Sequence, residues 1–108
     1  MSDTVIELNE TNFEREVLRA HEPVLVEFWA GWCQPSKAMA PLLESIAEER
    51  AGEVKVAKVN VEHNEALARL HGVRAVPTVL FFKHGGLQDQ FVGSATERDL
   101  SGKPKTLR

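Results

Sequence analysis

The order of apolar and polar positions along the chain switches repeatedly between strand-like and helical periods, and no internal repeat appears. Thr4 to Leu8 reads as a short strand. Thr11-Asn12-Phe13-Glu14 then fits a Thr-x-x-Glu capping box, in which side chains satisfy the first free helix amides, so a first helix is expected from Asn12 to Ala20. Val24 to Ala30 is apolar except at Glu27, the pattern of a strand covered on both faces and therefore of a central strand. Met39, Leu42, Leu43, Ile46 and Ala47 fall at i, i+3, i+4, i+7 and i+8, one apolar stripe on a helix from about Ser36 to Arg50. Pro41 removes a backbone donor within it and predicts a kink.

Val54 to Val61 is strand-like, and the long helix before it implies a right-handed parallel crossover. Asn64 is expected to cap a short helix that stops at Gly72. Pro77 to Lys83 and Leu87 to Val92 flank His84-Gly85-Gly86, a hairpin signal that makes the last two strands antiparallel. The order βαβαβαββ, with room for a final helix, predicts an α/β fold: a central mixed β-sheet flanked by α-helices.

Composition narrows the function. At 108 residues, with 43% apolar and 27% charged positions, the chain suits one globular domain and neither disorder nor a disulfide scaffold. A formal charge of -3 gives no basic footprint for nucleic acid. The opening MSDTVIELNE carries acids where a secretory signal would carry lysines, and runs such as Val79 to Phe82 fall far short of the ~20 residues that span a bilayer. A soluble cytoplasmic protein without membrane contact is expected. Cys33 is the sole cysteine, so redox chemistry must borrow a second sulfur. His21, His63, His71 and His84 do not cluster with Cys33 at zinc-ligand spacing; most are expected to be solvated, and no metal or other cofactor is expected.

Cys33 follows the buried strand at the point where the long helix begins. Free amides and partial positive charge at a helix start favour an anion, here the thiolate that attacks disulfides. A lone cysteine is more often a small buried apolar residue. Its place between strand and helix, and the Pro35 that pre-sets a first helical turn, tip the reading toward a reactive thiol.

The strand Val24-Leu25-Val26-Glu27-Phe28-Trp29-Ala30, the segment Trp32-Cys33-Gln34-Pro35-Ser36-Lys37, Pro41, Lys58, Val76-Pro77-Thr78 and Gly93 together resemble the thioredoxin family, with the right spacing over about residues 4–100. The resemblance implies a thioredoxin-like domain over residues 1–101 that carries out thiol–disulfide exchange on protein substrates. It also implies that Pro77 is a cis-proline beside the thiol. Val76 would then offer backbone hydrogen bonds to an extended substrate, and Trp32, Gln34, Pro35, Val76 and Gly93 would frame an apolar patch around the sulfur. Glu27 stands where the family usually has an aspartate; desolvation there would raise its pKa and suit it to proton transfer, against the plainer reading of a solvated edge-facing acid. Lys58 matches the lysine that approaches this acid. Trp29 is expected to be core packing.

Two departures qualify the likeness. The family motif is Trp-Cys-x-x-Cys, and Ser36 occupies the second cysteine's place. A serine hydroxyl neither attacks as an alkoxide at neutral pH nor ends in a disulfide, so a complete dithiol cycle is excluded, although Ser36 could hydrogen-bond the thiolate. Release would then need glutathione, a substrate's second thiol or another external thiol; the pattern suits a natural monothiol form and a trapping substitution alike. Thioredoxin reductase is the other partner implied. A monomer is expected, with a Cys33-linked dimer as the alternative. A binding or chaperone-like module using the patch around Pro77 is the competing function. The second departure is the end of the chain, where Gly102 and Pro104 oppose helix continuation; a short last helix and a mobile tail over 102–108 are expected.

Overall fold

The computed structural model describes residues 4–95, 99 and 100. Five strands, β1 (Val5–Leu8), β2 (Val24–Trp29), β3 (Lys55–Asn60), β4 (Thr78–Lys83) and β5 (Gly86–Val92), form one sheet in the order β1-β3-β2-β4-β5. β3 runs parallel to β1 and to β2, whereas β4 runs antiparallel to β2 and to β5. The expected mixed sheet and central β2 are therefore present, and every residue of β2 except Trp29 is buried.

Strand alternation divides the core into two clusters. Val24, Val26 and Phe28 of β2 join Leu80 and Phe82 of β4, with Phe13, Val17 and Leu67 covering them. Leu25 lies on the other side with Val56, Val79 and Phe81, packed against Leu43 and Ile46. Glu27 and Trp29 share the face of Leu25 by the same period of two. The helical cover on that face is α1 (Gln34–Ala38) followed by α2 (Ala40–Glu49), and α3 (Glu65–Leu70) covers the opposite face. The kink expected at Pro41 is a complete break: Met39 separates the two helices, and α2 restarts with the Leu43 amide donating to the Met39 carbonyl at 2.9 Å. Pro41 has no amide to continue the α1 ladder but fits an opening turn, where the amide would be free in any case.

Three local readings change. The first helical segment is capped by Asn9 rather than by Thr11: the Asn9 Oδ1 accepts from the Thr11 and Asn12 amides at 2.8 and 3.0 Å, and the Asn12 Oδ1 accepts from the Asn9 amide at 2.8 Å. This reciprocal pair is a capping box two residues earlier in the chain than the Thr-x-x-Glu match. The helix expected over Asn12 to Ala20 is a short, widened π-helical turn over Glu14–Leu18, closed by the Arg19 amide on the Glu14 carbonyl at 3.0 Å. Asn64 stands at the start of α3 but caps nothing with its side chain; its Nδ2 donates back to the Asn60 carbonyl at 3.0 Å.

The remaining turns follow their residues. Gly72, at φ 71°, ends α3 with the Gly72 amide on the Arg69 carbonyl and the Val73 amide on the Ala68 carbonyl, a Schellman motif. His84 and Gly85, at φ 52° and 81°, form the two-residue hairpin turn between Lys83 and Gly86. A Cβ on Gly85 would lie 2.9 Å from the Leu18 carbonyl oxygen, so the hairpin tip presses on the π-helical turn and only glycine fits. Most of the histidines are exposed as expected, but His71 is half-buried with its ring 4.8 Å from that of Phe13 and 5.7 Å from that of Phe82; burial lowers its pKa. Residues 99 and 100 are helical and Leu100 is buried among the α2-side core, whereas the expectations for residues 96–98 and for the tail lie outside the described residues.

The cap assignment has a direct check. Asn9→Ala should cost about 1 kcal/mol in urea unfolding, and Thr11→Ala less than about half of that. Equal losses would restore the Thr11 box.

Candidate active site

Cys33 is the N-cap residue of α1, at the end of the loop that leaves β2, with an extended backbone at φ -105° and ψ 107°. The Lys37 amide donates to the Cys33 carbonyl at 3.1 Å and closes the first turn, in which Pro35 needs no donor. The loop is pinned from the other side by the Gly31 amide, which donates to Glu62 Oε1 at 2.8 Å. Cys33 is 9% exposed, and its Sγ donates to the Val76 carbonyl at 3.7 Å. The Val76–Pro77 bond is cis, and the Gly93 amide donates to the Pro77 carbonyl at 2.8 Å, so Gly93 is tied to the same segment. Trp32, 70% exposed, borders a groove with Val61, Val73, Arg74, Ala75 and Val76. Gln34 and Pro35 are exposed on α1 and line neither this groove nor the cleft described next.

Behind α1 lies a second feature, a cleft of about 240 Å³ bounded by Val5, Glu27, Trp29, Ser36, Ala40, Leu43 and Lys58, with Lys37 and Glu44 completing it. Cys33 does not line it. The structure thus gathers the sequence-selected residues into two groups, the thiol with Val76, Pro77 and Gly93, and Glu27 with Lys58 and Ser36. Ser36 is 1% exposed, and its Oγ has no hydrogen-bond partner among the described residues; the bond to the Cys33 sulfur allowed by the sequence is not made.

Glu27 is 2% exposed, which removes the solvated edge-facing reading. Burial pushes its pKa up to about 7, and the Lys58 charge, on the register partner across β3, limits the rise. The Glu27 Oε2 makes no hydrogen bond. Lys58 Nζ instead lies 5.5 Å from the centre of the Trp29 ring, within cation–π range. Trp29 is half-buried and lines the cleft rather than the closed core, and its Nε1 is also buried without a partner. Sequence reasoning missed this role. Its position two residues after Glu27 in a strand was the available signal, since period-two alternation sends both side chains to one face.

The Thioredoxin family profile matches residues 4–105. The chain belongs to the thioredoxin family. Its thioredoxin relatives include thioredoxin C-2 of Corynebacterium nephridii, 46% identical over 101 residues that cover 94% of each chain. Thioredoxin of Acidithiobacillus ferridurans is 42% identical with the same coverage. Thioredoxin 1 of Nostoc sp. is 40% identical over 95 residues, covering 88% of this chain and 89% of its own. Membership in the thioredoxin family implies thiol–disulfide oxidoreductase chemistry, with a single cysteine here at the modified site. Among the described residues, no helix is long and apolar enough to cross a membrane.

Glu27 gives the site a measurable pH dependence. Its folded pKa of about 7 exceeds the ordinary 4.5, so the folded state binds the extra proton between those values. The linked stability is fully present below about pH 4.5 and is lost as pH rises through about 7, by up to roughly 3 kcal/mol at ~1.4 kcal/mol per pKa unit. Glu27→Gln should flatten that slope in denaturant unfolding followed across pH; an unchanged slope would assign the titration elsewhere.

Proposed function

We propose that this thioredoxin-family protein performs the nucleophilic half of thiol–disulfide exchange, with Cys33 as the only sulfur of its active site. The observation that carries this reading is the placement of Cys33 at the start of α1 against the Val76 carbonyl, with no second cysteine in the chain. The Cys33 thiolate attacks one sulfur of a protein disulfide. A bond forms between Cys33 and that sulfur while the substrate S–S bond breaks, and the departing substrate sulfur takes up a proton. Because Ser36 cannot resolve this adduct, an external thiolate completes the exchange: it bonds to the substrate sulfur, and Cys33 leaves as thiolate. The external thiol is glutathione or a substrate's second cysteine, and full dithiol turnover with thioredoxin reductase is lost or impaired.

Val76 and Pro77, with Gly93 behind them, supply the backbone edge on which an extended substrate adds as a strand, and Trp32, Gln34 and Pro35 form the exposed rim. Glu27 and Lys58 act as supporting groups, Glu27 holding or releasing a proton near neutral pH. A monomer working in the cytoplasm on protein disulfides fits this chemistry, which needs no metal or cofactor. The apolar groove of Trp32, Val73, Ala75 and Val76 favours one second reading, a binding module that uses the same surface without sulfur chemistry.

Two measurements separate them. Exposure to oxidised glutathione should give a stable Cys33 adduct by intact mass, and Ser36→Cys should raise insulin reduction by at least about 100-fold, since it supplies the intramolecular resolving thiol. Partner capture that is unaffected by Cys33→Ser, with no adduct and no gain from Ser36→Cys, would replace the exchange reading with the binding module.

A further inference from the structure

The cleft behind α1 holds more unsatisfied chemistry than a proton-holding carboxyl explains. Three buried polar atoms border it without a hydrogen-bond partner: Glu27 Oε2, Ser36 Oγ and Trp29 Nε1. Glu27 and Ser36 are each more than nine-tenths buried. Lys58, half-buried on β3, makes no ion pair within salt-bridge distance of a described residue; it lies over the Trp29 ring and acts on Glu27 through its charge alone. Orphaned groups of this kind are costly in a closed protein and are normally satisfied by a bound species.

The identity of the groups selects the species. Ser36 Oγ, Trp29 Nε1 and the Lys58 ammonium group donate, and the Glu27 carboxyl joins them when protonated, while exposed Lys37 and half-buried Glu44 add one charge of each sign to the lining. Three donors, one of them a cation, call for an acceptor of negative charge. Val5, Ala40 and Leu43, with the Trp29 ring, supply apolar walls. Water would satisfy the polar atoms and leave those walls wet, whereas a small molecule with an anionic head and an aliphatic body satisfies both. At about 240 Å³ the cleft falls just under the roughly 300–1,000 Å³ of common ligand sites, which limits the occupant to a short chain.

We propose that the cleft between α1 and the sheet is a binding site for a short aliphatic carboxylate, its head held by Ser36, Trp29, Glu27 and Lys58 and its chain lying against Val5, Ala40 and Leu43. Cys33 does not line the cleft, whereas Ser36, in the place of the family's second cysteine, does. Three charged residues line the cleft with Glu27, namely Lys58 from β3, Lys37 from α1 and Glu44 from α2, and of these Lys58 acts on its charge. Glu7 of β1 is the exposed register partner of Lys58. An ionised Glu27 repels the anion and draws Lys58 to itself, so the ligand binds the form in which Glu27 carries its proton. Affinity therefore falls as pH rises through neutrality.

Butyrate titrated into the full ¹⁵N-labelled chain tests this. At about pH 6 the indole Nε1–H resonance of Trp29 should shift saturably, with a millimolar dissociation constant as so small a ligand permits. Affinity should drop by at least about threefold at pH 8, and Glu27→Gln should abolish that drop because its amide neither ionises nor loses its donor. Lys58→Met should weaken binding by at least about fivefold at pH 6 by removing the cation. The proposal is overturned if the Trp29 resonance does not saturate, if butanol shifts it equally, or if the only shifts fall on Trp32 and Val76.

Discussion

An acid cannot enter the centre of a sheet without cost, and the face of the sheet that carries Glu27 is organised around that cost. β2 has neighbours on both edges and cover on both faces, so its side chains lose water almost completely. A carboxylate there would need strong partners; Glu27 has one cation in register and no hydrogen bond on Oε2, and it meets the deficit by keeping its proton up to about pH 7. The same burial makes the cleft possible. Leu25 and Phe81 pack into continuous core on that face, whereas Glu27 and Trp29 stop short of it and leave a space roofed by Ser36 and Ala40.

The thiol lies outside this economy. Cys33 is placed by the end of β2, the opening of α1 and the segment that carries Val76, three pieces of chain far apart in sequence. Its sulfur meets the carbonyl of Val76, a residue that lines the exposed groove, whereas Glu27 lines the cleft. Ser36, three residues from Cys33 and buried, lines the cleft with Glu27, so a hydroxyl stands there where the family motif has its second sulfur.

Most of the architecture was legible because it rests on periodicity. β2, the α2 stripe, the hairpin at His84-Gly85 and the stop at Gly72 depend on burial and on backbone freedom, both of which a pattern of residues expresses directly. The caps were harder. Asn9 and Thr11 each have suitable side chains, and the choice turned on which residue reaches two free amides, a matter of backbone path that short motifs do not encode. Trp29 was misplaced, and His71 could not be singled out among the four histidines, for a related reason: neither polarity nor size says whether a ring closes a core or borders a cleft. Arg74 and Ala75 entered the groove by tertiary approach alone, since nothing in their local pattern points to Trp32.

The break at Met39 carries a mechanical consequence. α2 is anchored by Leu43, Ile46 and Ala47, whereas α1 has a single buried side chain, Ser36, in five residues. Pro41 supplies no amide across the junction, so α1 is held mainly by Ser36 and by its own short turn. The reactive sulfur is thus mounted on a compliant lip over a stiff sheet. A polypeptide joined to Cys33 pulls first on α1, whose side chains are mostly exposed, rather than on the buried stripe of α2.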